Sequence, residues 1–136
     1  MIIDGNNLIL GRLGTVVAKK ALLGEEVVIT NCDSIMITGK KDKILSEYKR
    51  RRDMGATKGP YVYRQPDMFV KRSIRGMFPY KKPKGREAFE RVKCYRGMPD
   101  EYKDKAETIE NASISKLDNL NYTKVKDICK FLGGKV

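Results

Sequence analysis

The side chains best suited to chemistry in this sequence are cations, and they are concentrated in its middle. The chain has 136 residues and a formal net charge of +12. Residues 40–96 carry 19 Lys and Arg against six Asp and Glu, whereas residues 1–39 and 97–136 are close to neutral. Because guanidinium and ammonium groups pair with phosphates, this pattern predicts a polyanionic partner, either a nucleic acid or an acidic membrane surface.

Aromatic rings are interleaved with these cations, a mixture that suits RNA. Flat rings can stack on unpaired bases, although core packing is the alternative for each ring. Gly and Pro punctuate the same region, so loops and short helices are expected there. The interleaved rings are Tyr48, Tyr61, Tyr63, Phe69, Phe78 and Tyr80.

The longest basic run, at residues 49–52, lies where a helix starting near Lys41 is expected to end. Cations suit the negative end of a helix dipole, which is one explanation of the run. Four in succession exceed that need, so we favour phosphate contact. Arg12 is a separate candidate, because it stands beside the N–H groups exposed at the start of a predicted helix.

A second basic cluster follows at residues 72–86. Arg72 and Arg75 lie three residues apart and therefore share one face of a short predicted helix. Gly76 and Pro79 can then turn the chain and bring residues 81 and 82 beside that face, which predicts one contact surface. The alternative is that Arg72 and Arg75 pair with Glu87 or Glu90 and hold the segment in place.

Few residues in the chain are suited to catalysis or metal binding. Histidine, the usual general base at neutral pH, is absent, and no CxxC pair offers a zinc site. Carboxylate catalysis is not excluded by composition, but no pattern supports it. We therefore predict that the protein is not an enzyme and has neither a metal nor a cofactor.

Three local patterns resemble known binding motifs without matching them. Residues 34–41 fail as a P-loop, because Ser34 replaces the first glycine and Lys41 the magnesium-binding hydroxyl. Gly11 and Gly14 form only half of a dinucleotide fingerprint. They also resemble the GXXG loop of a KH domain, which needs a preceding helix that ten residues cannot supply. For Gly14 we favour close packing of a helix on the sheet.

The sequence also predicts a compartment. It has no apolar run of the ~20 residues that span a bilayer, and its first residues do not resemble a signal peptide. Cys32, Cys94 and Cys129 are widely spaced and odd in number, which argues against a disulfide framework and fits a reducing cytosol. We expect the protein to stay in the cytoplasm.

Strands and helices alternate in the first forty residues. Residues 1–3, 27–30 and 35–38 are short apolar runs that predict strands. Apolar residues at helical spacing predict a helix over residues 13–22, and Gly24 stands where a helix commonly ends.

The remaining elements are shorter. Helices are predicted to start near residue 41 and to cover residues 67–76 and 84–91, and a strand is predicted at residues 92–95. Residues 100–120 are too polar to assign. Residues 125–132 predict an amphipathic helix, with Thr123 as its N-cap and two glycines as its stop. The alternation predicts one α/β domain with a small, mainly parallel sheet.

Collinear motifs in residues 2–99 resemble one protein family, the L-thirteen family of large-ribosomal-subunit proteins in its archaeal and eukaryotic form. The IRGM-x-P motif at residues 74–79 followed by K-x-x-G-R at residues 82–86 is the most specific of them. Gly14 departs from the usual Ala, which should affect packing and not RNA binding. Residues 100–136 match only weakly. The matching segments are residues 8–14, 17–19, 24–29, 37–40, 58–60, 64–67, 72–79, 81–89 and 95–99.

The resemblance implies a three-layer α/β/α domain, with a basic loop-rich insertion, that binds large-subunit rRNA. The family's RNA-contacting positions correspond to Arg12, Lys40, Arg72, Arg75, Lys81, Lys82, Lys84 and Arg86. Charge alone adds Lys41, Lys49, Arg50, Arg51, Arg52, Lys58, Arg64 and Lys71.

The function that follows is a structural constituent of the large ribosomal subunit, which supports assembly and translation through phosphate contacts. Its partners would be rRNA and neighbouring ribosomal proteins, with no membrane and no small-molecule substrate. Two alternatives remain, a free regulator that recognises a transcript hairpin and an enzyme with a Rossmann-like sheet.

Overall fold

The computed structural model describes residues 1–54, 63–116 and 121–134. Four short 3₁₀ helices connect the main elements, at Cys32–Ser34, Asp100–Tyr102, Glu110–Ala112 and Ile114–Lys116. In chain order the main elements are β1 (Ile2–Asp4), α1 (Leu10–Leu22), β2 (Val27–Thr30), β3 (Met36–Thr38), α2 (Lys41–Asp53), α3 (Pro66–Arg75), α4 (Pro83–Glu90), β4 (Val92–Cys94), β5 (Tyr122–Lys124) and α5 (Val125–Phe131).

A three-stranded parallel sheet carries the core. Strand β2 lies between β1 and β4, with Ile3 opposite Ile29 and Val27 opposite Val92. All four side chains are fully buried, as expected for β-branched residues in a parallel sheet covered by helices. Strands β3 and β5 form a separate antiparallel pair. The predicted α/β class with a small, mainly parallel sheet is confirmed.

Helix α1 follows from its apolar periodicity. Leu10, Leu13, Val17 and Ala21 recur at helical spacing and are all buried. The helix ends before Gly24, whose φ of +101° lies in the left-handed region that glycine adopts without strain. The predicted stop is therefore confirmed.

Helix α5 extends the same core from the far end of the chain. Its buried residues Val125, Ile128 and Cys129 join the cluster that contains the parallel sheet and α1. The predicted glycine stop is confirmed at Gly133, which has a φ of +93°. The predicted N-cap is wrong, because the residue before the helix is Lys124 and Thr123 lies in β5.

Gly14 packs closely, but not where expected. A Cβ built on it would lie 2.7 Å from both the Sδ and Cε atoms of Met77 and 3.5 Å from Ile74. The neighbour is therefore the end of α3 and the turn after it, and not the sheet. Close helix–helix contact is the reason that the smallest residue fits here.

Helix α2 is the most peripheral of the long helices. It has no fully buried residue; Ile44, Leu45 and Tyr48 are half-buried against the core. The Tyr48 ring lies 5.1 Å from the ring of Phe69 in α3, which anchors α2 by one face. The other face, which includes most of the basic run, is exposed to solvent. None of the described helices is both long and apolar enough to cross a membrane.

Candidate nucleic-acid interface

A basic groove opens between the first turns of α1 and α2. Its volume is about 1010 Å³, and among the described residues its lining includes Arg12, Lys40 and Lys43 and no carboxylate. The fold thus brings together two predicted residues, Arg12 and Lys40, that are distant in sequence. Lys43 was missed, although it follows Lys40 by three residues at the start of a predicted helix and therefore shares its face.

Two helix starts border this groove without side-chain caps. Neither Ile9 before α1 nor Lys40 before α2 caps the helix with its side chain. Free N–H groups at a helix start favour anions, which adds to the positive charge of the lining. Arg12 donates one hydrogen bond, from Nη1 to the carbonyl oxygen of Asn111 at 3.3 Å, so its exposed guanidinium is anchored beside the groove.

The basic run at the end of α2 is partly engaged by acidic neighbours. Glu47 accepts hydrogen bonds from Arg50 at 2.7 Å and from Arg51 at 3.2 Å, and Arg52 lies 3.5 Å from Asp53. Arg50 and Arg51 lower the pKa of the Glu47 carboxyl to about 2, and the hydrogen bond from Arg50 contributes most. The charge offered by the run to a phosphate is therefore smaller than the sequence indicates.

A second group of cations lies on α3 and the turn that follows it. The Arg75 guanidinium lies 4.3 Å from the centre of the Tyr80 ring, and the Lys71 ammonium 5.0 Å from that of Phe89. Within the described ranges, neither Arg72 nor Arg75 forms an ion pair with Glu87 or Glu90. The alternative that Glu87 or Glu90 holds these arginines in place is therefore wrong.

The turn between α3 and α4 is internally fixed. The Arg86 Nη2 atom donates to the carbonyl oxygen of Lys81 at 3.1 Å, and the Lys82 N–H donates to Pro79. Gly85 lies so close to the Pro79 carbonyl that a Cβ there would overlap it. The exposed side chains of Lys81 and Lys82 consequently project from a defined backbone.

The other predicted residues are dispersed. Lys41 and Lys49 are exposed on α2, Lys84 is exposed in the first turn of α4, and Arg64 is exposed before α3. Lys58 lies outside the described residues. The RNA-contacting role of all sixteen positions stays a prediction.

The described residues offer no alternative chemistry at these surfaces. No group of three or more His, Cys, Asp or Glu side chains within residues 1–54, 63–116 and 121–134 could hold a metal ion. All three cysteines are free, and a side-chain hydrogen bond with Cys94, together with burial in the core, raises the pKa of the Cys32 thiol. A buried thiol of raised pKa is a poor nucleophile, so Cys32 serves packing.

Fold and surface together define a small basic α/β protein whose cations lie on helices around one core. The sequence profile described as ribosomal protein L13 matches residues 1–101. The chain belongs to the ribosomal protein L13 family. The prediction that it is not an enzyme is confirmed, since this is a family of ribosomal proteins.

Archaeal relatives match the whole chain. The large ribosomal subunit protein uL13 of Methanococcoides burtonii is 44% identical over 137 residues, with 98% of each chain covered. That of Natronomonas pharaonis is 40% identical over 136 residues, which cover all of this chain and 92% of the relative. That of Methanocaldococcus jannaschii is 43% identical over 139 residues, with 98% of each chain covered. The similarity therefore extends through residues 100–136, where the sequence motifs were weak, and it confirms the archaeal type.

Proposed function

We propose that the protein is a structural constituent of the large ribosomal subunit in the cytoplasm, where it binds large-subunit rRNA through phosphate contacts. The observation that carries this proposal is the cluster at Arg72, Arg75, Lys81 and Lys82, which is exposed or half-buried and forms no ion pair with an acidic side chain in the part of the chain that the structure describes. The names of the relatives place those proteins in the large subunit.

The mechanism is neutralisation of charge on a rigid support. Each Lys or Arg that pairs with a phosphate releases condensed counterions, which drives binding and makes it sensitive to salt. The turn bonded by Arg86 and packed around Gly85 orders the backbone before RNA arrives. Less conformational entropy is then lost when the cations of this turn bind.

A charge-reversal variant tests this function directly. Replacement of Arg72, Arg75, Lys81 and Lys82 by Glu should abolish filter binding of a large-subunit rRNA fragment. The fold should be retained, because substitutions at the three exposed positions usually cost within about 0.5 kcal/mol each and loss of the Arg75 contact with the Tyr80 ring adds only about 0.5–1 kcal/mol. Circular dichroism melting checks the fold. A variant that melts much earlier, and that still binds RNA when folded, would show that these residues are structural.

The matched control reverses four exposed lysines elsewhere, Lys103, Lys105, Lys116 and Lys124. It changes the net charge by the same amount but leaves the proposed contact cluster intact. RNA binding should therefore weaken only slightly. For the unaltered protein, the slope of log K against log[salt] should be roughly −0.7 to −0.9 for each phosphate contacted. A slope near zero would exclude the mechanism.

Sucrose-gradient sedimentation of cell extracts tests the ribosomal role separately from RNA affinity. Cofractionation with large subunits and with translating ribosomes is expected. A protein found only in the unbound fractions would instead support the free regulator of a transcript hairpin.

A further inference from the structure

A small pocket lies beside the cationic face of α3, and its composition differs from that of the groove described above. Its volume is about 300 Å³, and it is lined by Tyr63, Met68, Lys71, Arg72, Arg75 and Phe89. Two aromatic rings and a thioether thus line the pocket with three cations, and the described lining contains no carboxylate.

The apolar side of this pocket is unusually exposed. Tyr63 retains 39% of its accessible surface and Met68 retains 46%. Large apolar side chains left open beside a charged surface commonly mark a binding site. The pocket is also firmly supported, because the Phe89 ring packs edge-on against the buried Phe78 ring at 5.9 Å.

The cations and the rings of this pocket favour different chemical groups in a ligand. Lys71, Arg72 and Arg75 require an anion, whereas the Tyr63 ring favours a flat, polarisable partner. A phosphate alone would leave the Tyr63 ring uncovered, and an acidic peptide would gain little from that ring. A nucleotide supplies both parts, since its base stacks on a ring while its phosphates reach the cations.

A base could enter a pocket of this kind only if it were unpaired. In an A-form duplex the bases are stacked inside and only the backbone and groove edges reach a protein. A base that is turned out of a loop or bulge can enter. The volume is at the lower end of the range of about 300–1,000 Å³ that small-ligand pockets occupy, which suits one nucleotide unit.

The geometry points to this pocket as the receptor for a single unpaired nucleotide of a bound RNA chain, stacked on Tyr63 with its flanking phosphates on Lys71, Arg72 and Arg75. This inference rests on the proposed function, because it assumes that the chain binds RNA. It adds recognition of unpaired bases to a contact otherwise made only to phosphates.

The test measures the affinity of single-stranded and duplex RNA for variants of the protein at Tyr63. The probes are a short single-stranded RNA containing 4-thiouridine and the same strand annealed to its complement. Tyr63→Leu should weaken binding of the single strand by between about fivefold and a hundredfold, the usual effect of losing one base–aromatic stack. Duplex binding should be unchanged, and Tyr63→Phe should restore the single-strand affinity because the ring is retained.

Tyr102 provides the matched control. It lies against Tyr95, with 5.9 Å between ring centres, and not in this pocket. Tyr102→Leu should leave both affinities unchanged. Irradiation of the complex with the 4-thiouridine strand should crosslink to the peptide that contains Tyr63 and Met68, as read by mass spectrometry.

Each outcome separates this inference from the proposed function. If all variants bind both RNAs as the unaltered protein does, and no crosslink reaches Tyr63 or Met68, the pocket is not a nucleotide site while the phosphate mechanism stands. If the unaltered protein binds the large-subunit rRNA fragment but neither short RNA, the inference is wrong while the proposed function stands. If UMP binds as tightly as the single strand, the pocket recognises a free nucleotide and the inference is overturned.

Discussion

The guanidinium of Arg75 lies over the ring of Tyr80, five residues further along the chain, at 4.3 Å from its centre. Arg75 ends α3, and Tyr80 belongs to the turn that leads into α4. The contact therefore fixes the direction in which the chain leaves the helix, and with it the position of Lys81 and Lys82. A cation–π contact at a partly exposed site contributes about 0.5–1 kcal/mol.

The first prediction is that Arg75 and Tyr80 are energetically coupled without RNA. In a double-mutant cycle with Arg75→Met and Tyr80→Leu, urea denaturation should give a coupling of about 0.5–1 kcal/mol. The control cycle uses Arg72→Met with the same Tyr80→Leu change, because the exposed Arg72 side chain makes no ring contact in the described residues. Equal coupling in both cycles would show that the effect is general electrostatics and not the ring contact.

The ion pairs of Glu47 give the second prediction. Hydrogen bonds from Arg50 and Arg51 lower the pKa of its carboxyl to about 2 from the ordinary 4.5, so it stays charged well into the acid range. The contribution of these pairs to stability is present above about pH 4.5 and is lost as the pH falls towards 2. Throughout the physiological range, the carboxylate therefore competes with RNA phosphates for Arg50 and Arg51.

Glu47→Gln should consequently tighten RNA binding and steepen its dependence on salt by roughly one to two phosphate contacts. Filter binding at several salt concentrations measures both quantities. Glu25→Gln is the matched control, since Glu25 pairs with Lys20 at 3.9 Å, outside residues 40–96. If Glu47→Gln leaves affinity and slope unchanged, Arg50 and Arg51 do not contact RNA.

The third prediction concerns the close approach of α4 to the turn before it. Gly85→Ala should destabilise the protein by about 1–3 kcal/mol, because the added methyl overlaps the Pro79 backbone and cannot be relieved by a side-chain rotation. Gly11→Ala, near the start of α1, meets nothing within 4 Å and should be neutral or stabilise by up to about 1 kcal/mol. Thermal melting of both variants measures the difference. Similar melting temperatures would contradict the close packing.

Elements with a clear apolar period could be predicted from the sequence, and tertiary contacts could not. Helix α1 and strand β2 are each defined by residues that bury together, and both were predicted. The pairing of β3 with β5 was not, since residues 122–124 have no strand pattern and their partner lies far along the chain. Short strands of this kind depend on the surface against which they pack.

The candidate site was only partly predictable for a related reason. Counting the cations in the sequence located the basic region. It took no account of the acidic side chains that pair with the run at residues 49–52. The spacing of Glu47 to Arg50 and Arg51 at three and four residues was visible and predicts the observed pairs. The groove and the smaller pocket beside α3 could not be predicted, because each forms where side chains from separate elements converge.

The misplaced N-cap leads to the last prediction. Thr123 is 4% exposed, and its hydroxyl has no hydrogen-bond partner in the described part of the chain. Thr30, on β2, is equally buried, but its hydroxyl donates to the carbonyl oxygen of Ile3 at 3.0 Å. The two residues thus have the same side chain in strands of one domain and differ in whether the buried oxygen is bonded.

Replacement by valine should therefore change the free energy of unfolding in opposite directions at Thr123 and Thr30. Thr123→Val removes a buried, unbonded hydroxyl and adds apolar contact, so the free energy of unfolding should rise by about 1 kcal/mol. Thr30→Val removes a buried hydrogen bond and should lower it by about 1–3 kcal/mol. Urea denaturation with an unchanged m-value measures both effects. If both variants are destabilised alike, the Thr123 hydroxyl has a partner in the folded protein, and its burial is no longer a source of instability in β5.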